Sequence, residues 1–420
     1  MRKKLSFLLV LLLVFAMVGC SSSQSNTAEE DSDGKVTLTL WYWNRSLDDD
    51  LLAKVKEQFP NVNLKPQKID GAEYKTKLQT TLAAGSGAPD IVAMNDWANE
   101  FLPYTDQFVN LLDYGADELK DQYLEWKWNY TLTPDNKTLI ALPIDTGPTA
   151  LFYREDIFKK AGLPTDPAEV SAELSTWEDY IEAGEKVEAA TGVKMFDSIN
   201  RVFTQYISQS DSVYFDEEDN FIGDGGNVKK AWDLAVAVHE KGLSANLVDG
   251  TEWNAGMNNG EIASFIGAVW TKKILEDAAP DTAGKWRVAR APGGDGNNGG
   301  SFIGITKSSK HPEEAYEVIK WLMSPENQLQ AYTTMDLFPS TPGVYNDPKM
   351  SSEEAFFGNQ NTTEIFSQSA ENVKPRYFGA SYSTVNTMFL DQLTNVANQD
   401  LDPDKAWDEV LEQVEKELSR

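Results

Sequence analysis

Apolar positions along this chain alternate between two spacings, and the switches mark the elements. Val36 to Trp43 is a β-branched and aromatic run, which predicts a strand. Leu51, Leu52, Val55 and Phe59 then recur at helical spacing up to Pro60. Val62 to Pro66 predicts a second strand. Tyr74, Leu78 and Leu82 share one helix face, Gly85-Ser86-Gly87 stops that helix, and Pro89-Asp90 opens a buried strand from Ile91 to Met94. Strand, helix, strand, helix, strand in this order predicts an α/β fold with a parallel sheet and right-handed crossovers. Near the other end, Trp407, Val410, Leu411, Val414 and Leu418 form one stripe of a closing helix. No internal repeat recurs at a fixed period.

The first twenty residues follow a different pattern. Arg2, Lys3 and Lys4 precede an almost purely apolar run from Leu5 to Val18, which is short for a bilayer span. Cys20, the only cysteine of 420 residues, follows directly. This layout resembles a bacterial lipoprotein signal, whose cysteine is lipidated and becomes the mature N-terminus; Met17 stands where that pattern prefers leucine. The reading is a leader over residues 1–19 and a lipidated cysteine with a flexible tether over 20–35. That tether is polar and acidic and has too little apolar surface to fold. Acyl chains on Cys20, at about 0.8 kcal/mol for each buried methylene, would hold the protein to the outer face of the cell membrane, as in a Gram-positive bacterium.

Composition narrows the class further. Hydrophobic residues make up 41% of the chain and charged ones 25%, so the remainder is globular, and its length exceeds one ordinary core. The net charge of −29, more negative once the basic leader is removed, argues against nucleic acid and anionic lipid headgroups as partners. With Cys20 used as an anchor, no thiol is left for disulfides or metal ligation.

Four segments carry a family resemblance. They are Leu38-Thr39-Leu40-Trp41; Ala83 to Val92, which reads AAGSGAPDIV; Ala141-Leu142-Pro143-Ile144 with Ala150 to Arg154 and Phe158 to Pro164; and Gly260-Glu261-Ile262-Ala263 with Trp270, Phe302 to Ile305 and the helix from Pro312 to Leu322. In this order they resemble the family 1 extracellular solute-binding proteins of ABC importers, the maltodextrin-binding type. The resemblance implies a two-lobed type II periplasmic-binding-protein-like fold with a sugar held between the lobes. It also implies a monomer that delivers an oligosaccharide to the transmembrane subunits of an ABC permease, without a cofactor. On this basis the crossovers fall near 143–150, 261–265 and 302–307. One lobe is then 36–146 plus 262–304, and the other 147–261 plus 305–420. Extended crossovers of this kind absorb the rotation of hinge closure.

A sugar ring presents an apolar C–H face and a rim of hydroxyls, which aromatic side chains and Asp, Asn or Arg complement. The chain has 12 Trp, 15 Tyr and 19 Phe, so abundance does not discriminate and position must. Ligands of open α/β sheets bind beyond the carboxyl ends of strands. The candidates there are Trp43, Asn44 and Arg45 after the first strand, Asn95, Asp96 and Trp97 after the third, and Asp145 and Thr146 at the first crossover. Trp270 matches a position where the family stacks tryptophan on a sugar. Gly300, Ser301, Tyr377, Phe378 and Tyr382 lie in segments expected to line the cleft, and Asn200, Arg201 and Phe203 add a set from the second lobe.

Two other classes are set against this reading. A secreted glycoside hydrolase needs two spaced carboxylates, and no spacing among 66 Asp and Glu singles out a pair. His239 and His311, the only histidines, lie far apart, on a helix and before Pro312, which disfavours a triad or zinc cluster. A structural or adhesive surface lipoprotein would have no cleft. The glycine-rich stretch Gly293 to Gly300 lacks the Gly-Lys-Ser/Thr ending of a phosphate loop and reads as a mobile loop. For the anchor, Cys20→Ser is expected to release the protein into the medium or stall its processing. Fractionation of cells and medium checks this, and mature protein that stays on the membrane refutes a lipid anchor.

Overall fold

The structure, a computed structural model, describes residues 34–248, 250–399 and 401–419. The expected leader, Cys20 and nearly all of the tether lie outside these residues.

The first lobe begins as the hydrophobic spacing predicts. Strand β1 (Val36–Tyr42) leads to helix α1 (Asp49–Gln58), β2 (Val62–Lys68), α2 (Gly71–Ala84) and β3 (Ile91–Met94). Asp48 caps α1 by accepting the Asp50 N–H, and Leu51, Leu52 and Val55 turn inward. Asp70 caps α2 in the same way, and Gly85 ends it in the left-handed conformation at φ 66°, which glycine adopts without a Cβ clash. Beyond a short helix α3 (Glu125–Asn129) and strand β4 (Ala141–Pro143), the chain enters a second sheet.

That second region holds β5 (Thr149–Arg154), helices α4 (Glu155–Lys160), α5 (Pro167–Glu173), α6 (Trp177–Thr191), α7 (Ile199–Ser208), α8 (Gly226–Glu240) and α9 (Thr251–Asn259), then β6 (Ser264–Ala268), α10 (Thr271–Ala278) and β7 (Trp286–Ala289). Strand β8 (Phe302–Ile305) and helices α11 (Pro312–Leu322) and α12 (Pro325–Met335) follow. Helices α13 (Thr363–Asn372), α14 (Tyr382–Gln399) and α15 (Pro403–Leu418) complete the chain.

The first sheet has the order β2-β1-β3-β8-β4 and the second β6-β5-β7. Strands β1, β2 and β3 are parallel, as expected, whereas β8 lies antiparallel between β3 and β4. All three strands of the second sheet pair antiparallel.

The division into lobes therefore differs from the expected one. Strands β6 and β7, placed with the first lobe from sequence as part of 262–304, pair with β5 in the second sheet. Helix α11, placed in the second lobe within 305–420, buries Tyr316, Val318, Ile319 and Leu322 on the first-lobe core beside Leu38, Leu40, Val55 and Ile91. An apolar five-residue run reads alike in either sheet, and its pairing partner is set by residues more than a hundred positions away. Strand β4 ends in the first sheet at Pro143 and β5 begins in the second at Thr149, so the chain passes between the sheets there. No crossing occurs at 261–265, and the one expected at 302–307 falls earlier, between β7 and β8. Helix α12 straddles the lobes, with Ala331 on the first core and Leu329 and Tyr332 reaching the cluster around Phe152, Phe265 and Trp286.

Three crossing segments run side by side at the base of the lobes. Ile144 N–H donates to Ser301 O, Thr146 N–H to Phe338 O and Asn298 N–H to Gly147 O, each at 2.8 Å. The Asn297 side-chain oxygen accepts from both the Thr146 hydroxyl and the Gly147 N–H at 2.8 Å. A Cβ at Gly147 would stand 2.0 Å from the Asn298 carbonyl oxygen, a backbone atom with little freedom to retreat. Gly147→Ala is accordingly expected to destabilise the unliganded protein by about 1–3 kcal/mol, the usual range for overpacking. Urea unfolding measures it, and an unchanged midpoint would show that the crossings separate easily.

Candidate ligand-binding cleft

Between the lobes lie two adjoining cavities. The outer one, about 760 Å³, is walled by 99–103 and 129–136 from the first lobe and by 211–222 and 375–380 from the second. The inner one, about 200 Å³, reaches the crossing segments at Asn297, Asn298 and Gly299. Tyr130, Pro375, Arg376 and Phe378 line both, so these side chains form the partition between the chambers.

That partition is an aromatic contact from lobe to lobe. Tyr130 stacks on Phe302 of β8, with centroids 5.1 Å apart and planes at 21°. On its other side it meets Phe378 at 4.3 Å. Phe378 packs edge-on against Tyr382 at 4.9 Å, and Tyr382 continues to Tyr214 and so to Phe389 in the second-lobe core. The row is therefore anchored in a packed core at each end and meets in the cleft. The Arg376 guanidinium lies 4.6 Å over the Phe378 ring while donating to the Ile207 carbonyl. Tyr130 donates its hydroxyl to the Asp96 carbonyl, which ties the partition to the loop after β3.

Polar groups converge on the inner chamber. Asp96 contributes from the first lobe, Thr204 and Ser208 from α7, Asn386 from α14, and Asn297 and Asn298 from the crossing segment. Burial pushes the Asp96 carboxyl above the usual carboxylate range, opposed first by Lys127 and then by Lys75. Flat aromatic faces beside carboxylate, guanidinium and amide groups can cover a sugar ring and pair with its hydroxyls. Among the described residues no cluster of His, Cys, Asp or Glu is arranged to hold a metal ion.

The residues singled out from sequence fall into three groups. Asp96, Tyr377, Phe378 and Tyr382 line the chambers. Asp145, Thr146, Gly300 and Ser301 belong to the crossing segments, where Asp145 accepts the Ser301 N–H at 2.7 Å. Trp270 also serves the crossings: it is half-buried, lines neither chamber, and donates its indole N–H to Asn298 O at 3.2 Å. It stands directly before α10.

The remaining candidates line neither chamber. Trp43 and Trp97 form an aromatic row with Tyr74 and Phe101. Asn44 is exposed and Asn95 half-buried. Arg45 takes a left-handed backbone and donates to Met335 O at 3.2 Å, so it fastens α12. Asn200 donates to Leu390 O and the Thr394 hydroxyl, which pins α7 to α14. Arg201 pairs with buried Asp197 at 2.6 Å. Phe203 is fully buried against Phe389. The amphipathic face of α7 decides this set, because Phe203 points into the core while Thr204 and Ser208 face the cleft. Sequence reading missed Tyr130, Trp126, Arg376 and Asn297. The dense run Trp126-Lys127-Trp128-Asn129-Tyr130 was the available signal.

The fold agrees with comparisons to known proteins. Residues 44–329 match the family described as bacterial extracellular solute-binding protein. The chain belongs to this family. An arabinooligosaccharide-binding protein of Bacillus subtilis (strain 168) is 29% identical to it over 381 residues, covering 86% of this chain and 85% of that protein. A crystal structure of an extracellular solute-binding protein of family 1 superposes with TM-score 0.88 at 33% identity, over 91% of this chain and 99% of that one. The sugar-binding protein MalE of Xanthomonas citri superposes with TM-score 0.76 over 91% and 98% of the two chains, and at 20% identity that likeness concerns the fold alone.

Because Trp270 braces the crossing segment at Asn298 and does not itself line a chamber, Trp270→Ala is expected to lower the stability of the unliganded protein by about 2 kcal/mol or more. Ligand affinity should change only a few-fold. Calorimetric melting and titration of the variant check both, and a large affinity loss at unchanged stability would return Trp270 to the site.

Proposed function

We propose that this protein captures a neutral oligosaccharide in the interlobe cleft and delivers it to the membrane subunits of an ABC importer. The observation that carries the reading is the Tyr130–Phe378 partition, with Asp96 and Arg376 beside it. Arabinooligosaccharides are the first ligands to try, since the Bacillus subtilis relative is named for them. Asp211, Asp216, Glu217 and Glu218 line the outer chamber, so an anionic ligand meets repulsion on entry in an already acidic molecule. Tyr130, Phe378, Tyr382, Asp96 and Arg376 are the contacts proposed, with Tyr377 at the outer wall. The protein acts as a binding protein and not as an enzyme. Among the described residues no helix is long and apolar enough to cross a membrane. Attachment to the outer face of the cell membrane through Cys20, and action as a monomer, complete the reading.

Thermal-shift screening against arabino-, malto- and galacto-oligosaccharides tests it. A true ligand at a hundredfold excess over its dissociation constant stabilises the protein by roughly 2.7 kcal/mol. X-ray scattering should show a smaller radius of gyration with that ligand as the lobes close. Phe378→Ala, which removes the half of the partition supplied by the second lobe, is expected to weaken binding by about 2 kcal/mol, or around thirtyfold. Failure of every sugar to stabilise the protein would sink the proposal.

A further inference from the structure

One cation beside the cleft has no role in the reading above. Lys127 of α3 is buried to 1% exposure, and its ammonium lies 3.8 Å from the centroid of the Phe302 ring. The Tyr130 and Trp126 rings stand 5.7 and 6.0 Å from it. The ammonium also presses against the crossing segments. A Cβ on Gly300 would come within 2.7 Å of Nζ and of the Asp145 carbonyl oxygen, and φ at 89° likewise reserves that position for glycine. Burial pulls the ammonium down to about 7, against the attraction of Asp145 first and Asp96 second. Aromatic faces and these two carboxylates are what retain the charge there.

The two carboxylates are not equivalent. Asp145 is already tied to the Ser301 N–H. Asp96 lines the inner chamber, and no hydrogen bond from another described residue reaches its carboxyl. The other charges around Asp96 are Lys75 and Glu100, which pair with each other at 2.8 Å, while Arg376 and Tyr382 face Tyr130. Lys127, whose ammonium lies 5.7 Å from the ring of Tyr130, the residue bonded to the Asp96 carbonyl, thus opposes neutralisation of Asp96 by burial ahead of Lys75.

We propose that Lys127 is a positioning residue for ligand binding, whose buried ammonium keeps Asp96 ionised so that ligand hydroxyls meet a charged acceptor. Hydrogen bonds to an ionised acceptor are roughly twice as strong as neutral ones. A desolvated carboxylate that loses its counter-charge takes up a proton instead. This inference rests on the sugar-binding reading of the inner chamber.

The test uses the full mature chain carrying Lys127→Met or Lys127→Arg. In the ligand-free protein, Asp96 is titrated by NMR with aspartate labelled at the carboxyl carbon, its signal assigned through Asp96→Asn. The midpoint is expected to rise by about one pH unit or more in Lys127→Met, a tenfold change in proton affinity, and to return toward wild type in Lys127→Arg. In the wild-type protein, which requires no variant to fold, the same signal should show a second inflection near neutrality as Lys127 loses its proton. Affinity for arabinotriose is then measured by calorimetry at mildly acidic and mildly alkaline pH. Lys127→Met should lose about tenfold or more on the acidic side relative to the alkaline side, and Lys127→Arg should not. An unshifted Asp96 midpoint, or an affinity loss independent of pH, overturns the proposal. A wild-type protein that binds no sugar but shows the Asp96 shift overturns the functional reading and upholds the coupling.

Discussion

Three chain crossings, bonded to one another at the base of the lobes, are the constraint on which the rest of this structure depends. Each lobe has its own buried core, one around Leu38, Val55 and Ile319 and another around Tyr180, Trp232 and Phe389. A third cluster, in which Leu124 and Trp126 of the first lobe join Phe152, Phe265 and Trp286 of the second, lies between them, so the relative placement of the lobes falls to the segments that pass between them and to this shared packing. Backbone pairs such as Ile144 to Ser301 and Thr146 to Phe338 hold the segments in register, and Asn297 gathers two further donors at one oxygen. Extended segments can change φ and ψ slightly at many positions, which is how a hinge turns without opening either core. Close approach at Gly147 and Gly300 is the cost of packing them so tightly.

The cleft is an outcome of that arrangement. Tyr130 sits just beyond α3, and Phe378 in the loop before α14, 248 residues later in the chain. They meet because Phe302 backs one ring and Tyr382 the other, each seated on its own lobe. Around this apolar partition the polar groups are few and convergent, as specific recognition of a hydroxylated ligand requires. Trp126 closes the hinge side with an indole bond to Ala370 O at 2.8 Å, and Lys127 beside it brings charge to the same corner. Binding groups and crossing groups therefore share a short stretch of sequence, residues 126–130, and the space around Asp145.

Much of the first lobe was legible in the sequence, for physical reasons that are local. Period-two and helical spacings, the Asp48 and Asp70 caps and the stop at Gly85 depend on neighbours a few residues away, so β1, α1, β2, α2 and β3 fall where expected. Asp96, which lines the inner chamber, could be singled out because a loop at a strand end is a local feature; Tyr377, Phe378 and Tyr382, which also line the chambers, were singled out by their segment. Composition and charge by themselves set the class: a globular, acidic chain, with one cysteine placed just after an apolar run.

Tertiary structure alone decided the rest. Strand β6 could join either sheet on its own apolar pattern, and only pairing with β5 assigns it. Phe203 and Trp270 are aromatic residues in plausible positions. Yet the rotation of α7 buries one in the core, and a single carbonyl at Asn298 draws the other to the crossings. Arg376 carried no local mark, and the aromatic run that ends at Tyr130 did not say which ring faces the cleft, because a cleft wall is made by surfaces that approach from distant segments. Local propensity fixes elements through contacts a few residues long. The partner of each strand and the facing of each side chain are long-range choices, set by which packing buries the most surface while leaving no backbone group unpaired.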